Sequence, residues 1–267
     1  MNEGYVTSGE ERIFFREAGE GEAVVFIHAG VADSRMWLPQ LEAVPAGYRY
    51  VAQDERGFGG TDVGNTQFSS HQDVLTVMDS LGIDRAVLVG CSMGGGVALD
   101  VAIAAPERVS GFVLVGAASP GLEVDPYEPP GWPEAVTAFK AGDMKRVAEL
   151  DAAMWMAGYG RDLVAVDPGL VEIFLDMDLT ALRNESKRDE LRTPGPDRVA
   201  GIVEIEQPAL VVVGEYDLPD IREAADHLAS RLSDRPAVVV PDAAHLAGFE
   251  QPDVFNAALV DFLKTIA

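Results

Sequence analysis

The chain has 267 residues, of which 48% are hydrophobic and 24% charged, a composition typical of a globular protein with a sizeable core. Its 44 acidic and 20 basic residues give a net charge of −24, so the surface repels nucleic acid and anionic lipid, and neither is an expected partner. No apolar run is long enough to span a membrane, no signal-peptide pattern opens the chain and one cysteine permits no internal disulfide, which together predict a cytoplasmic protein without membrane contact.

The first 118 residues alternate short runs rich in Val, Ile and Leu with helical patterns. Continuous apolar runs of this kind are typical of a mostly parallel central sheet with helices on both faces. In chain order the pattern predicts a strand at Ala23–His28, a helix at Met36–Val44, a strand at Tyr50–Gln53, a helix at Ser69–Leu81, a strand at Ala86–Gly90, a helix at Met93–Ala105 and a strand at Val109–Val115. In the second of these helices, Ser69 and Gln72 have the spacing of a capping box, and Gly82 is placed to end it.

The alternation stops between residues 119 and 204 and then resumes. The middle segment has helical patterns and no convincing strand. The resumed alternation predicts a strand at Pro208–Val213, a helix at Asp220–Leu232 with Asp220 as its N-cap, a strand at Ala237–Val240 and a final helix at Pro252–Ile266. We therefore expect an α/β core domain made of residues 1–118 and 205–267, with residues 119–204 inserted as a helical cap.

A serine stands just after one predicted strand, in the sequence VGCSMGGG. The pattern G-x-S-x-G between a strand and a helix is typical of a sharp turn that presents a serine hydroxyl in strained backbone geometry. Side chains at Gly90 and Gly94 would collide in such a turn, and Gly95 and Gly96 are expected to let the helix lie close to neighbouring strands. The pattern thus predicts Ser92 as a nucleophile. A glycine-rich turn that only packs or binds phosphate is the alternative, but the lysine of a phosphate-binding loop is missing.

A serine hydroxyl needs a base within hydrogen-bond reach, and the chain has four histidines. His245 lies late in the chain, on the loop between the strand Ala237–Val240 and the last helix, where the base of such a site is expected. His227 lies within a helix of surface character and His71 in the first turn of another, so both are expected to be structural. His28 ends a strand, and we expect its ring nitrogens to orient the loop that follows.

The base in turn needs a carboxylate that holds its tautomer and stabilises the imidazolium. The strand Pro208–Val213 leads into GEYDLPD, which offers Glu215, Asp217 and Asp220. Glu215 emerges early in the turn and Asp220 suits the cap of the next helix. Asp217 is therefore the preferred partner of His245.

The oxyanion of a tetrahedral intermediate needs hydrogen-bond donors. The amide of Met93, directly after the serine, is expected to be one, and the amide of Gly30, in the loop after the strand Ala23–His28, is expected to be the other. Cys91, on the other side of the serine, is expected to be a small buried hydrophobe.

Five segments match, in order, the motifs of a known family: FIHAG, DERGFGGTD, VGCSMGGG, VVVGEYDLPD and DAAHLAGFEQP. On these motifs the chain resembles the α/β-hydrolase fold family over essentially its full length. The resemblance implies Ser92 as nucleophile, Asp217 as acid and His245 as base beneath a helical cap, with Asp54 and Arg56 in a structural turn. The serine excludes dehalogenases and epoxide hydrolases, which have an aspartate there. The last two motifs look similar to those of small-molecule esterases and 3-oxoadipate enol-lactonases.

Several large residues are candidates for lining a substrate pocket, although most of those in the cap are equally suited to packing the cap on the core. The candidates are His28 beside the sheet and, in the cap, Trp132, Phe139, Met154, Trp155, Met156, Phe174 and Met177. An enol-lactonase also needs cations for the carboxylate of its substrate. The cap offers Arg161, Arg183, Lys187 and Arg188.

The sequence predicts a serine hydrolase that cleaves small carboxylic esters or lactones through an acyl-enzyme. Its expected partner is a small-molecule substrate, and both a monomer and a homodimer are compatible with the sequence. No metal or organic cofactor is implied, since the histidines are too scattered for a zinc site. Three alternatives stay open: cofactor-free perhydrolysis with haloperoxidase-type activity, C–C bond hydrolysis by the same triad, and a non-catalytic ligand receptor on a hydrolase scaffold.

Overall fold

One eight-stranded sheet forms the centre of the computed structural model, which describes residues 1–123 and 126–266. Residues 124 and 125 of the predicted cap and residue 267 of the predicted core lie outside the described residues. The strands are β1 (Asn2–Ser8), β2 (Glu11–Gly19), β3 (Gly21–Ile27), β4 (Gly47–Gln53), β5 (Ala86–Cys91), β6 (Val109–Val115), β7 (Ala209–Gly214) and β8 (Val238–Val240). Their spatial order is β1-β2-β4-β3-β5-β6-β7-β8. β2 pairs antiparallel with both β1 and β4, and the remaining neighbours pair in parallel.

Helices cover both faces of this sheet, which confirms the predicted α/β class. The α-helices of the described residues are α1 (Leu38–Glu42), α2 (Ser70–Ser80), α3 (Met93–Ala104), α4 (Trp132–Ala141), α5 (Met144–Asp151), α6 (Pro168–Leu191), α7 (Arg198–Gly201), α8 (Pro219–Leu232), α9 (Ala247–Glu250) and α10 (Pro252–Ile266). One face packs against α2, α3 and α8, and the other against α1, α9 and α10. Successive side chains of a strand point to opposite faces. On β5, for example, Leu88 belongs to the first layer and Val87 and Val89 to the second.

The first two strands form an antiparallel hairpin at the edge of the sheet, which the sequence pattern does not predict. Only one face of the hairpin is buried: Val6 and Ser8 of β1 are buried, whereas Tyr5 and Thr7 are exposed. β1 has the sequence NEGYVTS, in which Val6 is the one aliphatic residue. It therefore lacks the continuous apolar run that marks the inner strands of this sheet.

Ser69 is the N-cap of α2 as predicted, but its capping box does not form, and the predicted N-cap of α8 is wrong. The hydroxyl of Ser69 lies 2.8 Å from His71 Nδ1 and, among the described residues, caps no backbone N–H of α2, so the predicted capping box does not form. The N-cap of α8 is Leu218 rather than Asp220. The reason is that Pro219 occupies the first helical position, where its missing N–H has no intrahelical partner to lose.

The described chain between β6 and β7 forms α4 to α7 and their connections, with a π-helical turn at Ala152–Ala157 after α5. Part of this segment packs into the core of the sheet, because Met156, Phe174 and Met177 belong to the same apolar cluster as β5 and β6. Other residues form two small apolar clusters of their own. The separation of this segment as a cap domain stays a prediction. None of the helices in the described ranges combines the length and apolar character that crossing a bilayer requires.

Candidate active site

Ser92 occupies the sharp turn between β5 and α3. Its backbone has φ +51° and ψ −111°, a left-handed φ that is costly for a residue other than glycine and that is concentrated at functional sites. The turn requires both flanking glycines. A Cβ on Gly90 would collide with the carbonyl oxygen of Gly94, and a Cβ on Gly94 would collide with that of Ile27.

The next two glycines meet different neighbours. Gly95 packs against the chain just after β6, where an added Cβ would lie 2.6 Å from the Cβ of Ala117. Gly96 does not face a strand: it is covered by the guanidinium of Arg198, whose Nε and Nη2 donate to Asp100 at 2.6 and 2.7 Å. The prediction that Gly96 lies against a strand is therefore wrong. The space beside Gly96 is instead occupied by the ion pair between Asp100 of α3 and Arg198 of α7, so a side chain at this position would displace Arg198.

His245 and Asp217 form a buried pair on the loops that follow β8 and β7. His245 Nδ1 lies 3.0 Å from both carboxylate oxygens of Asp217, and the backbone N–H of Leu218 donates to Asp217 Oδ1 at 2.8 Å. With its Nδ1–H donating to the carboxylate, the neutral imidazole has Nε2 available to accept a proton. Glu215, the earlier acid in this turn, accepts the backbone N–H of Asp242 at 3.1 Å instead.

Gly116, directly after β6, lies against this pair. Its φ is +52°, and an added Cβ would lie 3.0 Å from both Asp217 Oδ2 and His245 Nδ1. A residue without a side chain is needed for the pair to pack on the backbone at this point. The sequence pattern does not predict this role. The signal that could have shown it is a glycine at the end of a buried strand, next to the strand that leads to Ser92.

The surroundings of His245 favour its protonated form. Burial lowers the pKa of His245, but the charge of Asp217, the hydrogen bond to that carboxylate and the charge of Glu250 outweigh burial and raise the pKa above its ordinary value. A more basic imidazole is better suited to take a proton from a weakly acidic alcohol.

Two residues, Glu250 and Trp155, fix the loop that carries His245, a role that the sequence pattern does not predict for either of them. Glu250 Oε1 accepts the backbone N–H of Ala244 at 2.9 Å, and its Oε2 accepts from Nη2 of Arg161 at 2.6 Å. Burial raises the pKa of Glu250 to about 7. The carbonyl oxygen of Trp155 accepts the N–H of His245 at 3.1 Å, and the centroids of their rings are 4.7 Å apart. Arg161 therefore anchors this loop and is not a candidate for substrate recognition.

The predicted oxyanion donors, Gly30 and Met93, lie side by side. A Cβ on Gly30 would lie 3.7 Å from both Cβ and Sδ of Met93. The loop of Gly30 is held by His28, whose Nδ1 lies 2.8 Å from the carbonyl oxygen of Ala29 and whose Nε2 accepts the N–H of Glu55 at 2.9 Å. Burial lowers the pKa of His28, so its ring stays neutral and keeps this arrangement. The prediction that His28 lines the pocket is wrong, because its side chain is completely buried and holds the loop of Gly30 instead.

Ser92 and His245 open on the same cavity of about 440 Å³, which Gly30 and Met93 also line. Within the described part of the chain no hydrogen bond joins the serine hydroxyl to the imidazole, and such bonds often tighten only when substrate is bound. Three predicted pocket residues line this cavity: Trp132, Phe139 and Trp155. Four others do not, because they face apolar neighbours in the interior: Met154, Met156, Phe174 and Met177.

Ser92 and Met93 also line a second cavity, of about 630 Å³, whose wall includes His71, Ser119 and Arg192. The serine therefore stands where two cavities meet. A nucleophile in this position has room for the acyl part of an ester in one cavity and for the alcohol part in the other.

Charged side chains line the first cavity on the side of α4 to α6, and the sequence pattern predicts only one of them. They are Lys140, Asp151, Asp178, Glu185 and Arg188. Two other predicted cations, Arg183 and Lys187, are exposed to solvent instead. The missed signal is the spacing of Asp178, Glu185 and Arg188, which recur on one face of α6.

Comparison with known proteins gives a match between residues 22–252 and a family model for the alpha/beta hydrolase fold. The chain is 26% identical to 3-oxoadipate enol-lactonase 1 of Acinetobacter baylyi, over 91% of this chain and 89% of that protein. It is 28% identical to a 2-hydroxy-6-oxo-6-phenylhexa-2,4-dienoate hydrolase of Burkholderia cepacia, over 94% of this chain and 91% of that protein. The solved structure of an N-acyl homoserine lactone degrading enzyme superposes with a TM-score of 0.76 at 25% identity, covering 97% of this chain and 100% of that one.

Proposed function

The chain belongs to the α/β-hydrolase fold family and is a hydrolytic enzyme, and from that premise we propose that it cleaves small carboxylic esters or lactones through an acyl-enzyme. Ser92 is the nucleophile, His245 the general base and Asp217 the carboxylate that orients the base. The observation that carries this proposal is the buried His245–Asp217 pair, 3.0 Å apart, whose imidazole opens on the same cavity as Ser92.

The first half of the reaction forms the acyl-enzyme. Ser92 Oγ attacks the carbonyl carbon while its proton passes to Nε2 of His245, and the carbonyl π electrons move to oxygen. The backbone N–H groups of Gly30 and Met93 hold this oxyanion. When the intermediate collapses, the bond to the alcohol breaks and the leaving oxygen takes the proton from His245.

The second half returns the free enzyme. Water attacks the acyl group on Ser92 and gives its proton to His245, and the oxyanion forms again between the same two amides. Collapse then breaks the bond to the serine oxygen, which recovers its proton from the imidazole as the carboxylic acid leaves. Asp217 stabilises the imidazolium in both halves.

The ester and lactone class is supported by two independent observations. The enol-lactonase and the homoserine lactone degrading enzyme that this chain resembles are both named for lactones, which are cyclic esters. The position of Ser92 between cavities of about 440 and 630 Å³ also gives separate room to the two sides of a scissile ester bond.

A second candidate function is hydrolysis of a C–C bond by the same three residues. It is favoured by the 28% identity to the dienoate hydrolase, because the substrate in that protein's name contains no ester. Both functions use Ser92 and His245 but differ in the bond that breaks. Side-by-side assays with esters and with a 2-hydroxy-6-oxo-dienoate therefore distinguish them.

The experiment is a panel of p-nitrophenyl esters and lactones assayed with the wild-type protein and with Ser92→Ala. We expect turnover of short-chain esters or lactones, and a loss on the order of 10⁴–10⁶-fold in kcat in the variant with an almost unchanged Tm. Added peroxide, halide and carboxylic acid form a further arm for perhydrolysis. Full activity in Ser92→Ala contradicts the nucleophile, and turnover of the dienoate alone contradicts the ester class.

A further inference from the structure

The first cavity carries buried polar groups that ester hydrolysis does not use. Asp178 and Arg188 project from α6 and Asp151 from the end of α5, and all three line the cavity of Ser92. Asp178 is 1% exposed, and Asp151 and Arg188 are each 7% exposed. Apolar residues such as Leu182 surround them in the same wall.

Two of these side chains have hydrogen-bonding capacity that is not used. No N–H or hydroxyl group in residues 1–123 and 126–266 donates to Asp178 Oδ2, and no acceptor in these ranges takes a hydrogen bond from Arg188 Nε. Asp189 Oδ1 stands 3.8 Å from that nitrogen, too far for a hydrogen bond. Buried polar atoms without partners are rare and costly. When the side chains that carry such atoms line a cavity, as Asp178 and Arg188 do, they point to a polar ligand group that pairs with them.

Asp151 and Asp178 lie next to each other in this wall. Burial raises the pKa of both carboxyl groups, and the neighbouring charge of Asp151 raises the pKa of Asp178 further. The two groups are close enough to hydrogen-bond, which requires that one of them is protonated. That proton lies between the two carboxyl groups, so the pair offers a ligand carboxyl oxygens that accept hydrogen bonds.

The charges in this wall are mixed, because Glu185 and the ionised member of the Asp151–Asp178 pair are acidic, whereas Arg188 and Lys140 are basic. A substrate carboxylate would be attracted by Arg188 but repelled by the acids, and an ammonium group would meet the opposite conflict. A hydroxyl or an amide is both donor and acceptor, so it can pair with either unused atom without this repulsion.

We propose that Asp151, Asp178 and Arg188 form a specificity subsite for an uncharged hydrogen-bonding group, a hydroxyl or an amide, on the part of the substrate that extends toward α6. This subsite rests on the proposed function and narrows its substrate class. The substrate is then amphiphilic, with an apolar stretch along Phe139 and Leu182 and a polar end at α6.

The first test uses p-nitrophenyl esters whose acyl chains have four, six or eight carbons and end in hydrogen, hydroxyl, carboxamide, carboxylate or ammonium. At the chain length that reaches the subsite, kcat/KM of the hydroxyl or carboxamide ester should exceed that of the plain alkyl ester about tenfold. The two charged esters should fall below the alkyl ester. A plain alkyl or charged ester that is best at every length overturns the subsite.

Variants assign the preference to these side chains. Asp178→Leu and Arg188→Met should each bring the hydroxyl-to-alkyl ratio of kcat/KM close to one, and either variant suffices if the other does not fold. Asp178→Asn keeps an uncharged donor and acceptor and should retain the preference. Glu172→Leu removes an exposed acid from the same helix and is the matched control, with an unchanged ratio. An unchanged ratio in both Asp178→Leu and Arg188→Met overturns the assignment.

A binding measurement separates the subsite from the proposed function, because it needs no turnover. Calorimetry with Ser92→Ala should show that 6-hydroxyhexanamide binds about tenfold more tightly than hexanamide. The difference should disappear when Asp178→Leu is added. If no ester is cleaved but this difference is present, the proposed function fails and the subsite stands. Equal binding of the two amides overturns the subsite, whatever the esters do.

Discussion

Replacing Gly116 by alanine tests whether activity depends on the position of the His245–Asp217 pair. The new Cβ would lie 3.0 Å from both Asp217 Oδ2 and His245 Nδ1 and 3.1 Å from His245 Cε1. Comfortable contacts are about 3.5–4.0 Å, so the pair must shift by about 0.5 Å or separate. Both side chains are buried, and a close-packed interior offers them little room to move.

Two separate effects follow from this substitution. Alanine in the left-handed conformation of Gly116, at φ +52°, loses about 1–2 kcal/mol of stability, which lowers Tm by about 2–4 °C for each kcal/mol. The displaced imidazole lowers the rate, because a misplacement of about 1 Å costs about 10²-fold. For the smaller shift of about 0.5 Å expected in Gly116→Ala, kcat/KM for p-nitrophenyl acetate should fall about tenfold.

Gly82→Ala is the matched control for Gly116→Ala. Gly82 has φ +67°, and an added Cβ meets no described atom within 4 Å. This variant should lose a similar amount of stability by calorimetry and keep its full kcat/KM. If Gly116→Ala loses only as much Tm as the control and keeps wild-type kcat/KM, activity does not depend on the pair in this position.

Further predictions concern the pH profile, the acid and a buried ion pair. The pKa of His245 is raised above its ordinary value of 6.5, and the neutral imidazole is the base. The acid limb of the pH profile of kcat/KM should therefore have its midpoint above pH 6.5. A midpoint below pH 6.5 would contradict this. Glu250→Gln removes one of the charges that raise this pKa, so the same limb should move to lower pH, and an upward shift would argue against the assigned cause. Asp217→Asn should lower kcat about 10⁴-fold in ester assays while the protein stays folded by circular dichroism, and a loss below tenfold would exclude this residue as the orienting acid. Arg56→Met leaves buried Asp73 without its partner at 2.8 Å and should lower the free energy of unfolding by about 3–5 kcal/mol in urea; a loss under about 1 kcal/mol would show that the pair is not needed.

The elements that carry the candidate site could be predicted because each follows a buried parallel strand. Ser92, Asp217 and His245 come after β5, β7 and β8, and the carboxyl ends of parallel strands meet at one edge of a sheet. Continuous apolar runs mark such strands. The hairpin of β1 and β2 is partly exposed and has no apolar run longer than residues 13–15, so the same criterion does not find it.

The walls of the cavity could not be predicted from the sequence, because a helix such as α6 has two partners. Phe174 and Met177 pack toward the sheet, whereas Asp178 and Glu185 line the cavity. Which face meets which partner depends on how α6 packs on α5, and the helical period alone does not specify it. The predicted capping box at Ser69 fails for a local reason, because the side chain of the nearby His71 competes for the same hydroxyl.

Covalent labelling with a fluorophosphonate, followed by peptide mapping, tests the assignment of the nucleophile most directly. The reagent should modify Ser92 in the wild-type protein and should leave Ser92→Ala unmodified at the same exposure. Ser119→Ala is the matched control, since the Ser119 hydroxyl also lies near a histidine, 2.6 Å from His227 Nδ1, and this variant should still be labelled at Ser92. An adduct on another residue, or no adduct on a folded protein that hydrolyses esters, would contradict the mechanism proposed for this enzyme.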